Sequence, residues 1–374
     1  MHDIADGFAE LAGKAAWAAR MAEIERRIAT GGRAGKALAQ YFGLERGIDR
    51  IRRGKRATGA APIMRLAADA LALNDQLDSS GRDRLQATLR RGMRDDNTLI
   101  PLFHLLRCAA VHRAEGFQIS YPGLTDGAAF DLLLSRRGAD LELVTDVMSA
   151  EEGRSVHRGS WFRLADRIDP DLQTWLAAHP GRYVLKVNLP GGLPTDEAAV
   201  AGLYDRIRRL LSESRRADTD EAIVLRLDPL LLAGAQMAGS ALGPALRQEF
   251  GPDANLAVVS DASGLFVIAA RSGRDNEVAL AMRRRMASIA PLRFSGARPG
   301  ILAMFVEDTD RLEWRGLRER LELEGEARQF LTQPEAKSIA AVTVSSRFEL
   351  FGAPEADGEL RFRNPSLRGA RLAV

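Results

Sequence analysis

The hydrophobic pattern of this chain changes period near Leu99, and that change restricts the folds open to it. Up to about residue 98, Ala, Leu and Met recur at three- and four-residue steps, through Phe8 to Ile28 and again through Ile63 to Leu77, which is the spacing of helices with one buried face. Breaks fall at Thr30-Gly31-Gly32, Gly54, Gly59 to Pro62 and Ser79-Ser80-Gly81. From Leu99 a helical stripe (Leu102, Leu105, Leu106, Ala109, Ala110) runs to a stop at Gly116, and short runs with strand character take over. These are FQISY, broken by Pro122-Gly123, then AAFDLLLS (128–135) and, after a turn at 136–139, DLELVTDV (140–147). The next segment, SAEEGRSVHRGSWFRLADRI, opens on Ser149 with Glu152 three residues on, the pattern of a capping box leading into a helix. RYVLKVNLP, after Pro180-Gly181, reads as a fourth strand.

The order is therefore helix, three strands, helix, strand, in a mixed α/β chain. A helical region is expected at 1–98, a core at 99–190 and a further α/β region at 191–374 that extends the core or packs on it. Within that last region strands are expected at 221–227, 255–260, 264–270, 300–308 and 338–346, with helices around 196–214, 276–290 and 313–331. The chain closes with a strand, a turn at Asn364-Pro365 and an exposed basic tail.

Composition narrows the function classes. The 374 residues are 46% hydrophobic, enough for two or three compact domains. No apolar run approaches the ~20 residues that span a bilayer, and acids stand near the N-terminus where a signal peptide needs basic residues. A soluble, cytoplasmic protein is the expectation. The single cysteine, Cys108, lies in an apolar run and reads as a buried, inert thiol. Net charge is only +3, and five lysines (Lys14, Lys36, Lys55, Lys186, Lys337) leave nearly all of the positive charge to arginine. Arginine cannot replace a titratable catalytic lysine.

Acids with chemical potential cluster between Glu115 and His157. Residues two apart on a strand face the same way, so Glu142, Val144 and Asp146 share one face, and Leu141, Leu143 and Thr145 the other. Asp131 on the preceding strand can lie opposite them, and Glu115 at the helix end can add a further oxygen. Hard oxygen ligands gathered in this way bind Mg²⁺ or Mn²⁺ and activate water for phosphodiester cleavage.

The element order and these acids resemble the PD-(D/E)XK nuclease superfamily, over roughly residues 99 to 190. The resemblance implies a restriction-endonuclease-like core, with Asp131 at the second-strand position and Glu115 at the helix position, acting on DNA with Mg²⁺ or Mn²⁺. The family's Glu-x-Lys triplet is not intact. Glu142 as its glutamate puts Val144 at the lysine position, whereas anchoring on SAEEGR puts Val144 at the glutamate and Asp146 at the lysine. Three readings stay open: an active enzyme in which Asp131, Glu142 and Asp146 bind metal and Lys186 or Arg154 supplies the positive charge; a catalytically inactive scaffold that binds nucleic acid or joins a protein assembly; or strand-end surface acids.

Other features carry less. Arg46 to Arg56 holds six basic residues against Asp49, either a solvated helix end or a patch for phosphate, with no aromatic residue interleaved. His104 and His112 share one helix face and read as packed histidines. His157 is a candidate phosphate contact at the mouth of the acidic site. LPGGLP (189–194) lacks the spacing of a nucleotide loop. Arg283, Arg284 and Arg285, and Arg361, Arg363, Arg368 and Arg371, are further basic groups able to touch a nucleic-acid backbone.

Overall fold

The computed structural model describes residues 1–57, 59–231, 242–251, 253–353 and 358–367. The chain divides into two units, one of Met1–Ala29, Leu38–Glu152 and Ala279–Val374, the other of Thr30–Ala37 and Gly153–Val278. These boundaries fall elsewhere than residues 98 and 190.

The helical opening consists of α1 (His2–Leu11), α2 (Lys14–Ile28), α3 (Gly32–Tyr41), α4 (Gly43–Arg52), α5 (Ala60–Gln76), α6 (Ser79–Gly92) and α7 (Ile100–Ala114). The apolar periodicity through 8–28 runs across two helices because Gly13 takes φ +92°, a conformation that interrupts an α-helix. Asp78 caps α6 by accepting the Gly81 N–H. Next come β1 (Gln118–Ser120), the one-turn α8 (Pro122–Thr125), β2 (Leu132–Arg136) and β3 (Ala139–Ser149). The second unit follows with α9 (Arg158–Ala178), β4 (Gly181–Leu189), α10 (Glu197–Ser212), β5 (Ala217–Thr219), β6 (Val224–Pro229), α11 (Leu242–Phe250), β7 (Asn255–Asp261) and β8 (Gly264–Ser272). The chain ends with α12 (Val278–Arg293), β9 (Gly300–Glu307), α13 (Arg311–Glu319), α14 (Glu322–Leu331), β10 (Ile339–Ser346), the one-turn α15 (Arg347–Leu350) and β11 (Leu360–Arg363).

The first unit holds a six-stranded sheet in the order β1-β2-β3-β9-β10-β11. β1, β2 and β3 form an antiparallel meander, β9 runs parallel to β3, β10 parallel to β9, and β11 antiparallel to β10. The second unit holds a five-stranded sheet, β5-β6-β4-β8-β7. RYVLKVNLP is a strand as expected, but it is β4 and pairs with β6 and β8 rather than with the meander. Its burial explains the difference. Arg182, Lys186 and Asn188 of β4 are exposed, whereas β9 is buried from Gly300 to Val306. A central strand covered on both faces must be apolar on both, and GILAMFV satisfies this where RYVLKVN would bury charge.

One face of the first sheet, through Leu132, Leu134, Leu141, Leu143, Ile301, Ala303 and Phe305, joins a core with Phe8, Trp17, Phe42 and Phe103 of the N-terminal helices. Phe8 meets Trp17 and Phe103 edge-on, with ring centroids 5.9 and 5.5 Å apart. This core is why the long helical opening exists: the sheet's apolar face needs a cover.

Two further details depart from sequence expectation. Ser149 precedes and Glu152 lies within a short 3₁₀ turn (Ala150–Gly153) instead of the two capping a long helix, and α9 begins later, with His157 Nδ1 accepting the Ser160 N–H at 3.2 Å. His157 is therefore a helix cap within the second unit. The helix expected over 313–331 is two helices, because Leu321 takes φ +57° between them. Arg368 and Arg371 lie outside the described residues, as does most of the basic tail. Among the described residues no helix is long and apolar enough to cross a membrane.

Candidate functional site

Strand alternation places Glu142, Val144 and Asp146 as expected, and each acid has acquired its own donor. Asp131 immediately precedes β2, and its Oδ2 accepts the Thr145 N–H at 2.7 Å and the Thr145 hydroxyl at 3.0 Å, carrying the β2–β3 hydrogen-bond ladder beyond the first residue of β2. Arg293 donates to its Oδ1 at 2.8 Å. Burial pushes the Asp131 carboxyl up, and Arg293 acts against that shift. Glu142 is fully buried. Its Oε2 accepts the Ser295 N–H at 2.9 Å, Oε1 accepts the Ser295 hydroxyl, and Arg298 stands 3.5 Å away. Asp146 is held in a two-pronged pair by Arg285, with Nε at 2.7 Å and Nη2 at 3.2 Å.

Glu115 caps the end of α7 and takes Arg361 at 2.9 Å and His112 at 2.8 Å. Burial alone would raise its carboxyl; Arg361 and His112 outweigh that and hold it below its ordinary value. Lys186 belongs to the second unit, where its ammonium lies 3.0 Å from Asp228. Arg154 belongs to that unit too.

A Mg²⁺ or Mn²⁺ site needs several carboxylate oxygens free to converge at about 2.0–2.2 Å from one ion. Here guanidinium, hydroxyl and backbone donors hold the oxygens of Asp131, Glu142 and Asp146 separately. No group of three or more His, Cys, Asp and Glu side chains able to hold a metal ion occurs among the described residues. The carboxylates as arranged do not fit the ion that the family resemblance implies. Val144, at the position where the triplet is broken, is completely buried.

The remaining sequence candidates are structural. Burial lowers His104 to about 4, so its neutral ring donates through Nε2 to the Ala303 carbonyl at 3.0 Å. Cys108 is buried beside it, and burial pushes the thiol up, away from the reactive thiolate. Arg283 pairs with Glu326 at 3.0 Å, and Arg285 with Asp146.

Two groupings lie apart from the acids at β2 and β3, and neither is contained in one stretch of sequence. The first lies at the carboxyl ends of β3 and β9, where Ser149 donates to Asp308 at 2.5 Å and Thr98 donates to Glu307 at 3.1 Å. Burial, with Asp308 beside it, pushes the Glu307 carboxyl up to about 8. Glu45, fully buried on α4, accepts the Leu99 N–H at 2.8 Å, and burial raises its carboxyl as well.

The second is a cavity of about 610 Å³ in the first unit, lined by five arginines: Arg46 and Arg50 from α4, Arg56 just after it, Arg311 from α13 and Arg347 from α15. Among the described residues, none of those lining it is acidic. Arg46 reaches out to Glu25 at 3.1 Å, Arg50 Nε donates to the Arg56 carbonyl at 3.0 Å, and Arg347 bonds the Gln40 carbonyl while lying 5.6 Å above the Phe351 ring. Gly43 and Gly47, one turn apart on α4, line the wall. Glycine in a helix costs about 1 kcal/mol relative to alanine. A Cβ at Gly47 would meet nothing nearer than Ile63 Cδ1 at 3.5 Å, so packing does not demand glycine there. A Cβ at Gly43 would crowd Arg347 Nη2 at 3.3 Å. The signal in the sequence was the run Arg46 to Arg56; its partners Arg311 and Arg347 lie too far along the chain to register as one motif.

No protein-family model matches the chain, and neither does any curated protein or solved structure.

Proposed function

We propose that this is a nucleic-acid-binding protein built on a nuclease-like core, engaging phosphates through arginine and lacking metal-dependent cleavage. The observation that carries the reading is the presence of five arginines in the lining of one cavity, with no acid among the described residues of that lining. Like charges gathered around one space repel, and a phosphate relieves that repulsion through charge-assisted hydrogen bonds. The engagement of Asp131, Glu142 and Asp146 by Arg293, Ser295 and Arg285 supports the non-catalytic form. Support for the nuclease-like ancestry comes from element order: α7, the β1–β3 meander, α12 and the parallel strand β9 follow the order helix, three strands, helix, strand, with residues 153–278 interposed.

The test measures binding and cleavage in one reaction, with fluorescently labelled DNA and RNA in the presence of Mn²⁺. The expected result is salt-sensitive binding with the nucleic acid left intact. Cleavage that disappears in Asp131→Ala would overturn the non-catalytic reading, and absence of binding to either polymer would remove the nucleic-acid reading.

A further inference from the structure

The shape of the arginine-lined cavity carries the reading further. An internal phosphodiester has one negative charge and a chain leaving on both sides, so a protein that only tracks a backbone needs an open stripe of basic residues. The basic residues here line a concave, solvent-open space of about 610 Å³, within the range of small-ligand pockets, with Arg50, Arg56 and Arg311 exposed at it. They come from α4, the segment after it, α13 and α15, so that arginines from several elements border one space instead of following one another along a single helix. Two aromatic rings, Phe348 and Phe351, share the wall with the guanidinium groups, giving apolar faces next to the charge. Arg347 is already seated over Phe351, which sets its guanidinium at the boundary between the two kinds of wall. Gly43 and Gly47 add no side chain to the α4 wall beside Arg46 and Arg50.

We propose that this cavity binds a terminal phosphate monoester of a nucleotide, with the phosphate among Arg46, Arg50, Arg56, Arg311 and Arg347 and the base against Phe348 or Phe351. A monoester carries about −1.5 to −2 charges at neutral pH, which suits several converging guanidinium groups better than the single charge of a diester. Such a group has two sources, a free nucleotide or the 5′ end of a strand. The inference rests on the phosphate-binding reading above and narrows it from backbone to terminus.

The experiment compares the full-length protein with the Arg50→Glu/Arg56→Glu variant, whose side chains are exposed and whose fold is checked by circular dichroism. Calorimetry measures ADP binding, and anisotropy measures short single strands bearing a 5′-phosphate or a 5′-hydroxyl. The expected result is that the 5′-phosphate, ADP or both bind roughly tenfold or more tightly than the 5′-hydroxyl strand, and that charge reversal removes the difference. Binding of ADP assigns the free nucleotide as a source, whereas binding of the phosphorylated strand without ADP assigns the strand end. Equal binding of the two strands with no ADP binding overturns the terminal-phosphate inference and leaves backbone binding standing. ADP binding with no strand bound keeps the inference and removes the nucleic-acid reading. A preference for the phosphate that survives charge reversal overturns the assignment to this cavity.

Discussion

Replacing Asp131 with alanine separates a structural acid from a catalytic one. Carboxylates gathered to hold a metal repel one another, so removing one leaves the protein as stable as before or more so. Asp131 instead satisfies the Thr145 N–H and hydroxyl and neutralises Arg293. A buried donor left without its partner costs about 1–3 kcal/mol. The ion pair with Arg293 is partly exposed and adds about 0–1 kcal/mol. Burial pushes the Asp131 carboxyl up, so relief of that desolvation returns part of the loss. The net expectation for Asp131→Ala is a destabilisation of about 2–3 kcal/mol, or roughly 3–4 °C in Tm for 374 residues unfolding together. Asp131→Asn keeps an oxygen for the Thr145 N–H and should lose about 1 kcal/mol. Thermal and urea unfolding followed by circular dichroism measures both. If Asp131→Ala melts at or above the wild-type temperature, the structural assignment of this acid is refuted.

Three other outcomes follow from the same geometry. Glu307 has a raised carboxyl, so its contribution to stability is full below 4.5 and is lost as pH rises through about 8. At about 1.4 kcal/mol per unit the ceiling is about 5 kcal/mol, which its partial solvent contact reduces to about 2–3 kcal/mol. Glu307→Gln should gain stability relative to wild type between pH 5 and pH 9 in a melting series, and parallel curves would contradict this. In a double-mutant cycle of Arg285→Met and Asp146→Leu, chemical denaturation should give a coupling of about 1–2 kcal/mol, whereas additive losses would mean the pair is incidental. Gly13→Ala should lower stability by about 1–2 kcal/mol, because φ +92° is strained for any residue with a Cβ, and an unchanged midpoint would contradict the assigned turn.

The alternating classes of element, the run of three strands and the shared face of Glu142, Val144 and Asp146 were legible because they depend on local period and turn residues. What lay beyond reach was pairing between distant segments. RYVLKVNLP reads as the strand after the meander because it comes next in the chain, yet its Arg182 and Lys186 suit a half-exposed sheet, and GILAMFV, much further on, meets the requirement for the covered place beside β3. Glu142 and Asp146 fall on β3 as expected, while Asp131 stands just before β2 and not on it. Their neighbours were out of reach, since Arg285, Arg293 and Ser295 stand about 140–160 residues away and no spacing rule links them. The cavity shows the same division. Arg46 to Arg56 was visible as a basic run, while Arg311 and Arg347 join it only through folding.

The most direct test of the central claim, that arginine and not metal partners these acids, is a calorimetric titration of Mn²⁺ into the wild-type protein near neutral pH with Asp131→Asn alongside. The account predicts no saturable binding in either protein. A saturable site in the wild type that vanishes in Asp131→Asn would contradict it and restore Asp131 as a metal ligand.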